Sequence, residues 1–100
     1  MIKVRMQPNE IPDFLRTIEQ DSRLNVWHLA ILLAVAVLAL SQGRYTRIKV
    51  SRNTIMEKSH INTVPTYHKY FKDLQDMGYV HYRPSYHPGV RSEIDLVKQP

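Results

Sequence analysis

Residues 51–78, SRNTIMEKSHINTVPTYHKYFKDLQDMG, predict a short helix, a tight turn and a longer second helix. In the second helix the apolar side chains recur at helical spacing, which turns one stripe toward a core. That stripe consists of Tyr67, Phe71, Leu74 and Met77, with Tyr70 beside it. The opposite face is predicted to carry polar and basic residues, namely Thr66, His68, Lys69, Lys72 and Gln75.

The residues around this helix pair supply its expected start signals. Ser51 is a good N-cap for a helix over residues 52–59. Ile61 lies in the turn and is predicted to fill the space between the two helices. Thr63 is the predicted N-cap of the second helix. Pro65 follows in its first turn, where a missing N–H group costs nothing.

An apolar helix is predicted upstream, over residues 24–42, with Asp21 or Ser22 as its cap. Twelve apolar residues run without a break from Leu29 to Leu40. A membrane span needs about 20, so we expect a buried helix rather than an anchor. Burying it on all sides is difficult in a small domain. We therefore expect the N-terminal helix, predicted over residues 11–20, or a second subunit to cover part of it, and for this reason we expect a homodimer.

Short strands are predicted on both sides of the helix pair. After Gly43, a helix-ending residue, residues 47–50 alternate polar and apolar side chains. Residues 79–83 and 92–97 have the same period of two and predict a hairpin. Its loop, residues 84–91, contains a type II turn at residues 87–90. Residues 1–10 are read as a strand or an arm, not a signal peptide, and residues 98–100 as a tail.

Charge is unevenly distributed along the chain, whose formal net charge is +5. Residues 1–40 hold four basic and four acidic side chains, whereas residues 41–100 hold ten basic and five acidic ones. A basic portion of this size favours a polyanionic partner. The chain has no cysteine, which excludes disulfides and thiolate metal sites and fits a reducing compartment. We expect a cytoplasmic, nucleoid-associated protein.

The order helix, strand, helix, turn, helix, hairpin predicts an α+β, mostly α chain, and over residues 24–97 it resembles the winged helix-turn-helix family. The strongest local match is residues 66–80, TYHKYFKDLQDMGYV, where a threonine starts the exposed helix face and a glycine follows Leu74 four residues on. The resemblance implies a three-helix core with a short strand and a hairpin wing. It divides the chain into residues 1–23, a candidate dimerisation arm, residues 24–97, the DNA-binding domain, and residues 98–100.

The resemblance implies a sequence-specific, double-stranded DNA-binding protein, most simply a small bacterial transcriptional regulator. Residues 63–77 would enter the major groove, and the wing, residues 83–91, would lie on the backbone or minor groove. A DNA-binding accessory factor of a plasmid or mobile element remains open, for replication, excision or transfer. A winged-helix protein-interaction module without DNA binding remains open too.

The expected DNA contacts come from short side chains that reach bases and from long cations that reach phosphates. The candidates are Arg52, Thr63, Thr66, His68, Lys69, Lys72, Arg83, His87 and Arg91. Additional backbone contacts are expected from Arg44, Arg47 and Lys49.

Sequence spacing gives no sign of catalysis or of a bound group. None of the five histidines pairs with another ligand at metal-site spacing on one element, and no glycine-rich phosphate loop occurs. We expect no enzyme activity, no metal, no cofactor and no small-molecule ligand.

Overall fold

The fold is α+β and mostly helical, as predicted from the order of elements. The computed structural model describes residues 8–97, so the predicted N-terminal arm before residue 8 and the C-terminal tail lie outside the described residues. A 3₁₀ turn at Pro8–Glu10 leads into the elements α1 Ile11–Gln20, α2 Val26–Gln42, β1 Ile48–Val50, α3 Arg52–Ser59, α4 Val64–Asp76, β2 Val80–Arg83 and β3 Ser92–Leu96.

Helix α2 begins two residues later than predicted because its cap is Asn25 rather than Asp21 or Ser22. The Asn25 side chain accepts hydrogen bonds from the backbone N–H groups of Trp27 and His28, while the His28 ring accepts one from the Asn25 backbone. This reciprocal arrangement satisfies several of the free donors of the first turn. At the other end Gly43 adopts the predicted left-handed conformation, with φ 68°.

Asp21 does not cap α2 but connects the α1–α2 link to the start of the hairpin through hydrogen bonds. Its carboxylate accepts hydrogen bonds from the Arg23 guanidinium at 2.7 Å and from the Tyr79 hydroxyl at 2.6 Å. The bond from Arg23, followed by the one from Tyr79, holds the pKa of Asp21 well below its usual range. Burial, with the Asp21 hydrogen bond next, raises the pKa of Tyr79 to about 12. The hydroxyl therefore stays a donor to Asp21.

The α3–α4 turn matches most of its predicted signals. The Ser51 hydroxyl accepts the Thr54 N–H at 3.2 Å, and Ile61 is buried between the helices. His60 ends α3 in the left-handed conformation, with φ 60°. Thr63 occupies the N-cap position of α4, but its side chain makes no capping bond and instead donates to the Thr66 hydroxyl at 2.7 Å.

The three strands form an antiparallel sheet in the order β1-β3-β2. Ile94 of β3 lies opposite Ile48 on one side and Tyr82 on the other. The apolar face of the sheet completes the core. In the hairpin loop Val90 donates to the His87 carbonyl at 3.2 Å and Gly89 has φ 81°, as the predicted type II turn requires.

The core joins all four helices to the sheet. Phe14 and Ile18 bring α1 into the same buried cluster as α2. Helix α2 packs against α3, α4 and β1 and remains partly exposed on its outer side. Among residues 8–97, no helix has both the length and the apolar character needed to cross a membrane.

Candidate nucleic-acid interface

A groove of about 710 Å³ separates the N-terminus of α3 from the exposed side of α4. We call it the α3–α4 groove. Its floor is aromatic, since Tyr67 stacks on Phe71 at 5.2 Å and Phe71 meets Tyr82 edge-on at 5.1 Å. Its walls carry polar and charged residues, namely Ser51, Arg52, Asn53, His68, Lys72, Gln75 and Asp76. Because Tyr82 belongs to β2, the groove extends from the helix pair to the hairpin.

The α3 end of the groove presents free hydrogen-bond donors. Ser51 takes the Thr54 N–H, whereas the backbone N–H groups of Arg52 and Asn53 make no hydrogen bond within residues 8–97. The first turn contains no acidic residue, and Arg52 is exposed and forms no ion pair with any described residue. Free N–H groups, a helix dipole and an unpaired guanidinium all attract an anion.

Tyr67 adds a further donor at the same place. The residue is 4% exposed, yet its hydroxyl makes no hydrogen bond within the part of the chain described. Burial, followed by the nearby Tyr82, raises the pKa of Tyr67 above its usual value, whereas Arg52 nearby lowers it. The hydroxyl is therefore protonated at neutral pH. The hydroxyl oxygen itself reaches the surface, so an acceptor that enters the groove can accept a hydrogen bond from it without displacing another described residue.

The two lysines of α4 are both paired with carboxylates on the same helix. Lys72 meets Asp76 at 2.8 Å, a hydrogen bond that raises the pKa of Lys72. Lys69 lies 3.5 Å from Asp73 and 4.9 Å from the centre of the Tyr70 ring. Both lysines are exposed, and surface ion pairs contribute little free energy, so a phosphate can compete for either lysine. The exposed side of α4 is nonetheless less positive than its lysines alone imply.

Thr66 does not share the exposed face of α4 with His68, another residue predicted to contact bases. Successive residues of a helix are rotated by about 100°, so Thr66 lies about 160° from His68. Thr66 is half-buried and accepts a hydrogen bond from the Thr63 hydroxyl, whereas His68 is exposed and lines the groove. The sequence-based assignment of all five polar residues to one face was too broad. His68, Lys72 and Gln75 face the groove, and Thr63 and Thr66 form a separate pair.

His28 joins α2 to α4 by a hydrogen bond, a role that the sequence alone did not indicate. It is a buried polar residue of α2, and its Nδ1 accepts the Asn25 N–H. The ring proton therefore lies on Nε2, which donates to Asp73 Oδ2 at 2.9 Å. This bond, ahead of the effect of Lys69, lowers the pKa of Asp73. The two helices are thus joined by a directional bond as well as by apolar packing.

Arg83, predicted at the wing tip, is held against the sheet. Its guanidinium binds both carboxylate oxygens of Asp95, at 2.7 and 2.9 Å, and lies 3.5 Å from Glu93. Asp95 also accepts the Arg47 backbone N–H at 2.8 Å, and Glu93 accepts a hydrogen bond from Lys49. The bond to Asp95 raises the pKa of Arg83, and the bond from Lys49 lowers the pKa of Glu93. Arg83 and Lys49 are therefore partly neutralised.

The remaining predicted cations are exposed and form no ion pair with any residue that the structure describes. Within residues 8–97 the basic side chains without an ion pair are Arg44, Arg47, Arg52, Lys58 and Arg91. The hairpin loop carries Arg91 together with exposed His87 and Tyr86, which is 88% exposed. The structure thus does not gather the predicted contacts on one surface: some line the α3–α4 groove, others lie in the hairpin loop or on the strands, and Thr63 and Thr66 form a separate pair.

No group of three or more histidine, aspartate or glutamate residues within residues 8–97 is arranged to hold a metal ion. Comparison of the chain with protein-family models, with characterised proteins and with solved structures gives no match.

Proposed function

We propose that this chain is a double-stranded DNA-binding protein of the winged helix-turn-helix class, acting as a regulator of transcription. Helices α2, α3 and α4 with the three-stranded sheet have the element order expected of that class. In this proposal α4 enters the major groove and the β2–β3 hairpin is the wing.

The observation that carries the proposal is the set of donors at the α3 end of the groove that have no partner among residues 8–97. The N–H groups of Arg52 and Asn53, the Arg52 guanidinium and the Tyr67 hydroxyl come from two helices and border one space. A backbone phosphate has several acceptor oxygens and a negative charge, so it can satisfy donors from both helices at once. Phosphate contacts of this kind fix the register of a protein on a duplex.

A phosphate bound there would place the exposed side of α4 against base edges. His68 and Gln75 line the same groove and carry ring and amide groups that bond to base edges. Arg91 and His87 in the hairpin loop would meet the adjacent backbone or minor groove. Lys69, Lys72, Lys49 and Arg83 would have to exchange carboxylates for phosphates, so we expect moderate affinity with strong salt dependence.

An accessory role in replication, excision or transfer of a mobile element uses the same surface and stays within this proposal. The pairing of four predicted cations with carboxylates favours a second candidate, a protein-interaction module. In that case the aromatic floor of the groove would receive a side chain from a partner.

Selection from a random pool of duplex DNA, followed by mobility shift with a selected duplex, separates these candidates. We expect a selected motif and an affinity that falls steeply between about 50 and about 200 mM salt. A scrambled duplex of equal length is the control and should bind more weakly. No retained duplex at about 50 mM salt would reject DNA binding and favour the interaction module.

A further inference from the structure

One face of α2 is apolar and exposed along almost its whole length. Its members are Val26, which is 71% exposed, Leu33 at 57%, Val37 at 42% and Leu40 at 59%, with half-buried Ala30 between them. At about 100° per residue these five side chains fall within an arc of about 80°. At about 1.5 Å per residue the stripe is about 21 Å long. We call these five residues the α2 stripe.

The rest of the described chain does not cover the α2 stripe. The opposite side of α2 packs against α3, α4 and β1. Helix α1 already contributes Phe14 and Ile18 to the core, and the α2 stripe is exposed with α1 in place. The expectation that α1 covers the outer side of α2 is therefore not met along this stripe.

We propose that the α2 stripe is the seam of a symmetric dimer in which the two α2 helices pack antiparallel. No charged residue occurs between Arg23 and Arg44, so two copies can meet without burying a charge. In a dimer with two-fold symmetry the same patch of both copies meets, so the patch must complement itself, and a continuous apolar stripe meets this requirement. Val26, Leu33 and Leu40 repeat every seven residues, the spacing at which helices interlock along a seam.

The antiparallel order follows from electrostatics. Side by side, antiparallel helices place the positive end of each dipole beside the negative end of the other, whereas parallel helices place like ends together. The midpoint of such a seam is Leu33, seven residues from Val26 and from Leu40. The α2 stripe lies on the side of α2 away from α3 and α4, so pairing leaves the α3–α4 groove open in both copies.

The size of the α2 stripe indicates a weak dimer. Its exposed area equals slightly more than two whole valine or leucine side chains. A standard interface buries about 800 Å² from each partner, so this seam is small and its occupancy should depend on concentration in the micromolar range.

Sedimentation velocity on the whole chain, from about 1 to about 200 µM, tests the seam. We expect the mass to rise from one chain toward two with concentration. Leu33→Glu should raise the dimer Kd at least about a hundredfold, because two unpaired carboxylates would meet at the seam. Leu15→Glu is the control, since Leu15 is a 45% exposed leucine on α1, and it should dimerise like the wild type. A wild type that stays monomeric at about 200 µM would overturn the proposal.

Single-cysteine variants then test the antiparallel order of the two α2 helices, because the chain has no cysteine of its own. A disulfide needs Cα atoms closer than about 7 Å. Leu33→Cys should cross-link to itself, and Val26→Cys should cross-link to Leu40→Cys in a mixture. If Val26→Cys and Leu40→Cys each cross-link to themselves, the antiparallel order is wrong. If no stripe variant cross-links faster than Leu15→Cys, the seam itself is wrong.

Discussion

Arg52 offers the sharpest test of the DNA-binding proposal because its removal should affect folding and binding in opposite directions. It is the first residue of α3, where a positive charge opposes the helix dipole, and it has no ion-pair partner within residues 8–97. Arg52→Ala relieves that repulsion, which is worth about 0.3–1 kcal/mol. Alanine also has the higher helix propensity. We therefore expect the free energy of unfolding to stay level or rise slightly.

DNA binding by the same variant should become weaker and less salt-dependent. Losing one charge-assisted hydrogen bond to phosphate, worth about 1.5–3 kcal/mol, lowers affinity by about tenfold or more. One phosphate contact contributes about 0.9 to the slope of log K against log salt. The deficit of Arg52→Ala should therefore be about three to four times larger at 50 mM than at 200 mM salt. Fluorescence anisotropy with a selected duplex measures both quantities, and urea titration measures stability.

Lys58→Ala is the matched control on the same helix. Lys58 also lacks an ion-pair partner within the described chain, but it lies in the last turn of α3 and outside the α3–α4 groove. Its charge favours the helix dipole, so its loss should lower stability slightly and leave DNA affinity nearly unchanged. If the two variants weakened DNA binding equally, the result would indicate general charge attraction and would refute a specific phosphate-binding site at Arg52. A wild-type salt slope in Arg52→Ala would refute it as well.

Three further predictions concern the ion pairs and caps. Glu93→Gln should raise DNA affinity and steepen the slope of log K against log salt by about 0.9, because it frees Lys49 for a phosphate. Glu19→Gln on α1 is the control and should change neither the affinity nor the slope in the same anisotropy assay. Asn25→Ala should lower the free energy of unfolding by about 0.5–2 kcal/mol in urea titration, since the α2 cap is lost. An effect no larger than that of Gln20→Ala on α1 would contradict this capping role. Asp21 has a native pKa depressed below its ordinary value of 3.8, so its contribution is present above about pH 4 and lost as pH falls further. The stability difference between wild type and Asp21→Asn should therefore be full at pH 7 and narrow steadily below about pH 4, and a difference independent of pH would refute this role.

Local signals accounted for most of the fold. The bounds of α1 and α3 agree with the structure, because helical periodicity and the Ser51 cap act within a few residues. Gly43 and the turn at residues 87–90 were predictable for the same reason, since each needs a backbone conformation that favours glycine. The α2 start was predicted too early because three residues that favour an N-cap, Asp21, Ser22 and Asn25, precede the apolar run. Asn25 is the one whose spacing to His28 completes a reciprocal cap.

The candidate site was harder to predict because its chemistry depends on pairs far apart in sequence. His28 and Asp73 are 45 positions apart, and neither residue carries a local signal for the other. The pairing of Arg83 with Asp95 depends on the hairpin register, which an eight-residue loop does not determine. One signal was present: Glu93 and Asp95 alternate on the return strand and so share a face, which should have suggested partners for a basic residue on β2.

These long-range pairs change how the basic surface should be interpreted. A count of cations gives Lys69, Lys72, Lys49 and Arg83 the same weight as Arg52, whereas within residues 8–97 only Arg52 of these five has no carboxylate partner. Paired cations hold elements together and cost energy to redirect, while an unpaired one beside free N–H groups is available at once. Asp73 shows the connection most directly, because it anchors α4 to His28 and neutralises Lys69 with the same carboxylate. The site that binds an anion first should therefore be the α3 end of the groove, with the lysines of α4 engaging afterwards.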